Sequence, residues 1–386
     1  MYFDFRTFFR VAYLSFFKWR ESPARLTVKR ALFLVGFFLI FPMVQIFNVF
    51  CFFLDQIFFP GYQKIEIEKP VFIIGNPRSG TTFIHRVMAR DEEQFFYFRT
   101  WEIIFPAIIQ KKFLFYVGCI DRWMGSILSH CLNYFESWLF PNFGKMHKLG
   151  LFYPEEDDKV LVHIFSFFEL LFFFPFKELD WLSRFDQLAR PEDRKRIMTF
   201  YGNCIRRQAY FKGCKKHFLS KSPHSSARID SLFEHFPDCK IVYMVRNPLE
   251  VVPSTVNMVQ KIWGSAMNMK AGFPLQEKIY ETTKFYYQHP LARLERAPQD
   301  SYVIVNYEEL VNQPSKVVQT IYQQFGFELS TEFLQALREE DEKAKGYKSS
   351  HVYSLDQCCY TREQIVSDLW SIFERFHFDT RESPGQ

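Results

Sequence analysis

Two short segments carry the residue types that hold anions. The first is Gly75-Asn76-Pro77-Arg78-Ser79-Gly80-Thr81-Thr82. Its glycines let the backbone approach a ligand closely. Successive N–H groups of such a turn form a concave anion site, and a helix opening there adds positive potential. The spacing matches a nucleotide phosphate loop, yet Thr81 stands where a triphosphate-binding loop carries Lys. The cation here is Arg78, inside the turn. A magnesium-bound triphosphate therefore fits poorly, and a phosphate beside a second, transferable anionic group fits better. The second segment runs from Lys240 to Ser254, where an apolar stretch ends in Arg246 and Ser254 follows eight residues on. A guanidinium fork and a hydroxyl both suit phosphate oxygens.

Both segments need a sheet edge to position them. Short apolar runs at 70–75, 217–221, 240–245 and 302–306 read as buried parallel strands. Helical patterns separate them, near 80–90, 224–236, 249–262, 276–296, 314–325, 330–342 and 362–375. This alternation predicts an α/β fold, a P-loop-like parallel sheet flanked by helices. Arg78 and Arg246 would then leave two strands at their carboxyl ends, where open α/β sheets bind ligands. Two arginines at one edge suggest two anionic groups on one ligand. The Phe-rich stretch 160–176 holds His163 and Glu169, with Lys177 next to it, and reads as core or a lipid-facing surface.

The amino-terminal part has a different character. Residues 31–54 are uncharged over 24 positions, about 36 Å as a helix, enough for a bilayer core. Pro42, Gln45 and Asn48 are costly against lipid unless satisfied locally. Residues 1–20 mix Phe with Arg6, Arg10, Lys18 and Arg20, which suits a helix lying in a membrane interface. The expectation is a membrane-associated helical region over 1–60, a single-pass or monotopic anchor, followed by a catalytic domain over 61–386. A buried helical hairpin is the alternative. Seven basic residues before the apolar run would keep the amino terminus cytoplasmic if it spans. The absence of any N-x-[ST] sequon gives no support to a glycosylated lumenal domain, so orientation stays open.

Composition sets the remaining bounds. The chain has 386 residues, 48% apolar and 24% charged, which excludes a disordered chain, a coiled coil and a collagen-like repeat. Phe is the outlier at 49 residues, yet mean hydropathy is −0.15, so most of the chain lies outside lipid. A net charge of +5 suits an anionic small ligand or a membrane surface and falls short of a nucleic-acid domain. Eight cysteines form no C-x-x-C pair, and no cluster has zinc spacing, so buried thiols are expected and no metal site.

In its motifs the sequence resembles the sulfotransferases that use 3′-phosphoadenylyl sulfate (PAPS). PRSGTT (77–82) looks like their 5′-phosphosulfate loop, and VRNPLEVVPST (245–255) looks like their 3′-phosphate segment. LSKSPHSSARIDSLFEHFPDCKIVYMVRNP (219–248), PEED (154–157) and HVYSL (351–355) are similar to sulfotransferase-domain proteins, and the likeness covers about 70–380. The Arg-Lys-Gly motif of the mammalian cytosolic enzymes has no counterpart here; Lys345 and Lys348 precede HVYSL instead.

The resemblance implies sulfuryl transfer from PAPS to a hydroxyl or amine, leaving adenosine 3′,5′-bisphosphate (PAP), with no metal required. Arg78 would stabilise the leaving phosphate, with Ser79, Gly80, Thr81 and Thr82; Arg246 and Ser254 would hold the 3′-phosphate. A hydroxyl acceptor needs a general base. Glu102, in RTWEI, follows the loop at the place of the catalytic Glu of tyrosylprotein sulfotransferases. His224 follows Lys221-Ser-Pro, one position off a Lys-x-His of the cytosolic enzymes. His85 is a third candidate, and Lys221, Glu155, Glu156 and Asp157 are further polar groups. The acceptor is open: a lipid or glycan is favoured, with protein tyrosine close behind. The rivals are a P-loop nucleotide kinase, disfavoured by Thr81, and a non-catalytic PAPS-binding or PAP-binding membrane protein.

Overall fold

A computed structural model describes residues 3–21, 26–127, 130, 151–213, 215–262, 275–345, 355 and 358–380. Five parallel strands form one sheet: β1 (Val71–Gly75), β2 (Phe95–Phe96), β3 (His217–Lys221), β4 (Lys240–Val245) and β5 (Tyr302–Asn306), in the order β2-β3-β1-β4-β5. All of β1 and β4 is buried, as continuous apolar runs require in a sheet covered on both faces. Gly75 pairs opposite Met244, and Val245 opposite Asn306, so β1, β4 and β5 end level. From β1 the chain leaves for β2 at one edge; from β4 it goes to β5 at the other. The crevice between these departures, at the carboxyl ends of β1 and β4, is where such a sheet receives a ligand.

The α/β class and all four expected strands are present. The strand β2 was not anticipated, because two residues show no period. Helix α1 covers Phe5–Phe17, α2 covers Val28–Phe58 and α3 covers Thr81–Met88. The expected helix at 224–236 is a 3-10 segment (Pro223–Arg228) leading into a helix (Ile229–His235). Its partner at 362–375 breaks at Leu369 into two short helices. A 22-residue helix, Pro191–Lys212, went unanticipated because its outer face is heavily charged.

Helix α2 is continuous, so the hairpin alternative does not form. It is long and apolar enough to cross a membrane. Nor does residue 60 mark a break in packing. Phe8, Leu34 and Phe52 share one buried cluster with Phe72 and Phe218 of the sheet. The Phe-rich stretch 160–176 joins that cluster through Phe165, Phe167, Leu170 and Phe174. Lys348 and His351–Ser354 lie outside the described residues.

Candidate active site

The Gly75–Thr82 turn is clamped on both sides. The Ser226 hydroxyl accepts from the Gly75 N–H at 2.9 Å and donates to the Gly75 carbonyl at 3.1 Å. Gly75 has φ 144°, and a Cβ there would stand 2.4 Å from the Met244 carbonyl oxygen, so only glycine lets β1 and β4 pair this closely. Arg78 has φ 70°, an uncommon left-handed backbone for a residue with a side chain. Such strain persists where surroundings over-determine it, and here they do. The Arg246 Nη1 donates to the Arg78 carbonyl at 2.9 Å, and the Arg78 Nε donates to Ser254 Oγ at 3.0 Å. Gly80, at φ 88°, precedes α3 without a side-chain cap; the Phe83 N–H turns back to the Gly80 carbonyl at 3.0 Å, which leaves the N–H groups of Thr81 and Thr82, both on the cleft wall.

Arg78, Arg246 and Ser254, distant in sequence, thus stand together at one sheet edge, with Thr81 and Thr82 on the cleft wall. Arg246 is buried. Its guanidinium engages Glu250, with Nε at 2.8 Å, and lies 4.1 Å from the Tyr307 ring centre. Several buried polar atoms here have no hydrogen-bond partner among the described residues: both side-chain atoms of Asn76, Ser79 Oγ and Thr255 Oγ1. Buried polar groups are nearly always satisfied. An anion with several acceptor oxygens would satisfy the donors at this turn, so these residues fit a phosphosulfate.

A cleft of about 400 Å³ leads away from the turn, lined at its start by Asn76, Arg78, Thr81 and Thr82. Charged groups line one side. The Lys221 Nζ is 2.8 Å from Glu156, and the Lys159 Nζ is 3.0 Å from Glu155. Burial raises the Glu156 carboxyl, but the Lys221 and Lys159 ammoniums outweigh it and hold Glu156 below the usual carboxylate range. Glu169, on the same wall, has no such partner among the described residues, and its Oε2 is buried with no hydrogen bond among them. Burial, with Asp158 and Glu156 adding to it against Lys159, pushes Glu169 up to about 7. The rest of the wall is apolar: Phe168, Leu171, Phe172, Met258, Val259 and Ile279.

The candidate bases separate. His224 lines the cleft, stacked on Phe168 with ring centres 3.5 Å apart, its Nδ1 3.3 Å from the Tyr286 hydroxyl. Burial lowers it to about 4, which keeps the imidazole neutral at physiological pH. Glu102 is not in the cleft. It is fully buried, accepts from the Arg99 N–H at 2.7 Å and pairs with Lys212 at 2.7 Å, so it caps and anchors the Thr100–Ile104 helix. Burial, with Lys221 adding to it, lowers His85 to about 3; it sits inside α3. Asp157 is also internal: it accepts from the Lys221 N–H at 2.9 Å, from Ser220 Oγ at 3.0 Å and from the Tyr201 hydroxyl. Asn76, Lys159 and Glu169 are the cleft residues that sequence reasoning missed. For Glu169 a signal existed, a lone acid in the apolar stretch FSFFELLFFF.

A family model described as "Sulfotransferase family" matches residues 177–331, the span holding β3, β4, β5, Arg246 and Ser254. Over 330 residues the chain is 23% identical to the omega-hydroxy-beta-dihydromenaquinone-9 sulfotransferase Stf3 of Mycobacterium bovis, covering 83% of this chain and 78% of that one. The chain is similar to sulfotransferases in sequence. Its fold is that of two solved sulfotransferases. The sulfotransferase STF9 of Mycobacterium avium superimposes with a TM-score of 0.70 at 18% identity, over 84% of this chain and 81% of that one. STF1 of Mycobacterium tuberculosis gives 0.64 at 17% identity, over 95% and 92%.

Proposed function

We propose that the chain transfers a sulfuryl group from PAPS to the hydroxyl of a lipid alcohol. The observation that carries this is the direct linkage of Arg78 to both Ser254 and Arg246 at the mouth of an apolar cleft. The similarity to sulfotransferases supports the transferase chemistry. The cleft wall supports an apolar acceptor over a sugar, since a glycan would leave hydroxyls facing Phe168, Leu171 and Ile279 unpaired. Stf3 carries in its name a hydroxylated menaquinone, which agrees with that wall.

The reaction follows from the residues. The Glu169 carboxylate takes the proton from the acceptor hydroxyl; His224 and Tyr286 flank the same space. As the acceptor oxygen bonds to sulfur, the bond between sulfur and the bridging phosphate oxygen breaks, and that oxygen keeps the electron pair. Arg78 and the N–H groups opening α3 stabilise the charge that develops there, more in the transition state than before it. Arg246, Ser254 and Thr255 meet the 3′-phosphate, the group that separates PAPS from a simple adenylyl sulfate. Thr81 in place of Lys removes the cation a triphosphate would require, which disfavours kinase chemistry.

The test is transfer of labelled sulfate from PAPS to a panel of a hydroxylated isoprenoid, a long-chain alcohol, a hexose and a tyrosine peptide. Labelling of the apolar alcohols is expected. Labelling only of the hexose or peptide overturns the acceptor class, and labelling of none with PAP still bound leaves a non-catalytic binding protein.

A further inference from the structure

Helix α2 has two unlike faces. Leu39, Met43, Ile46, Phe50, Phe53 and Ile57 recur every three or four residues and are all more than half exposed. With Leu32 the stripe runs about 38 Å, long enough for a bilayer. The opposite stripe is polar at intervals and bound to the domain. Asn48 Oδ1 accepts from Gln110 Nε2 at 2.7 Å, and Asn48 Nδ2 is 3.1 Å from His163 Nδ1. His163 Nε2 donates to the Ile103 carbonyl at 2.8 Å. Lower down, Asp55 accepts from the Ile108 and Ile109 N–H groups at 2.9 Å each and from Arg207 Nε at 3.0 Å.

A helix crossing the bilayer on its own axis would carry Gln45, Asn48 and Asp55 into hydrocarbon and leave Arg207 buried without its carboxylate. Breaking one member of a buried pair is strongly destabilising, and each orphaned amide adds to it. Asn48 and Asp55 keep these partners, and Gln45 stays buried against His163, when α2 lies along the domain. We infer that α2 does not span: it lies flat as a monotopic platform whose outer stripe sinks into one leaflet of a membrane. Its neighbours extend the surface. α1, packed on α2 through Phe8 and Phe38 at 5.4 Å, exposes Phe5, Phe9 and Phe17, and the Ile108–Trp123 helix exposes Phe113, Tyr116 and Trp123. Lys18, Arg20 and Lys29 are exposed at the α1–α2 end, where anionic headgroups would meet them.

The cleft wall adjoins this platform. Phe33 of α2 stacks on Phe173, with ring centres 5.9 Å apart and planes 21° from parallel, and Arg30 Nη2 donates to the Phe173 carbonyl at 3.0 Å. Phe173 lines the cleft, and Phe33 packs against Val259 and Leu275, which line it too. An apolar acceptor therefore enters sideways from the leaflet between Phe33 and Phe173, keeping its chain in hydrocarbon while its hydroxyl reaches Arg78. This entry route rests on the lipid-alcohol reading; the flat placement of α2 does not.

The test uses the full chain with tags at both ends, bound to preformed vesicles of phosphatidylcholine and phosphatidylglycerol. Flotation with the vesicles is expected, with both tags open to added protease. A Met43→Glu/Phe50→Glu variant should partition at least about tenfold more weakly. It should also keep wild-type turnover of a short soluble alcohol while losing turnover of a vesicle-embedded one. One protected tag would mean spanning and overturn the inference. So would a chain that ignores vesicles and forms dimers dispersed by the same double variant. Flotation with no alcohol sulfated would refute the lipid-alcohol reading and leave the platform standing.

Discussion

Replacing Glu169 by Gln separates the two candidate bases within the cleft. The carboxyl lines the cleft with one buried oxygen that has no hydrogen bond among the described residues, and burial raises it to about 7 against Lys159, with Asp158 and Glu156 adding to the rise. His224, buried against Phe168, is lowered to about 4. A base works only when deprotonated. If Glu169 is the base, kcat/KM for the donor, which reports the free enzyme, rises with pH through a midpoint near 7 and levels off above it. If His224 is the base, the rising limb lies near 4 and activity is flat through neutrality. The Gln variant keeps the shape and removes the proton acceptor, so kcat should fall about 10²–10⁴-fold and the limb near neutrality should vanish. Stability changes with the opposite sign. A carboxyl whose folded value lies above its unfolded one favours the protonated fold, a contribution complete below the unfolded value and lost as pH rises through about 7. The Gln variant should therefore melt higher than wild type at alkaline pH and equally at acid pH, by about 1–3 kcal/mol given water access to the cleft. The assay is labelled-sulfate transfer across pH alongside calorimetric melting. A Gln variant retaining both the rate and the limb would refute the assignment of Glu169.

Other perturbations read different parts of the site. Glu250→Gln should free Arg246 and tighten PAP binding a few-fold by calorimetry, since a partly exposed pair is worth about 0–1 kcal/mol; weaker binding would mean Glu250 helps to hold the nucleotide. Gly80→Ala places a Cβ 2.8 Å from the Tyr307 ring at φ 88° and should lower stability by about 1–3 kcal/mol while blunting PAP binding; a neutral result would deny that the turn is over-determined. Asp55→Ala leaves Arg207 buried and unpaired and should cost about 3–5 kcal/mol in denaturant unfolding; a loss under 1 kcal/mol would show that α2 is loosely docked.

The sheet was legible because buried parallel strands show as short, purely apolar runs, and the turn because glycine spacing and a following helix are local signals. Arg78 and Arg246 could be paired from sequence because each follows a strand at the same sheet edge, with Ser254 eight residues past Arg246 inside the next helix. What sequence could not show was long-range partnership. Glu102 lies the right number of residues beyond the turn, but Lys212 comes from a helix more than a hundred residues later and takes its carboxylate away from the cleft. Gln45 and Asn48 read as flaws in an otherwise apolar span. Their partners, Gln110 and His163, become neighbours only in the folded chain, and they turn those flaws into the docking stripe.

The central claim is that Arg78 and Arg246 grip one doubly anionic adenine nucleotide. Titration calorimetry of the full chain with PAP and with AMP tests it most directly. PAP should bind far more tightly than AMP, with both Arg78→Ala and Arg246→Ala weakening PAP by about tenfold to a hundredfold. Equal affinity for PAP and AMP, or unchanged PAP binding in either variant, would contradict the account.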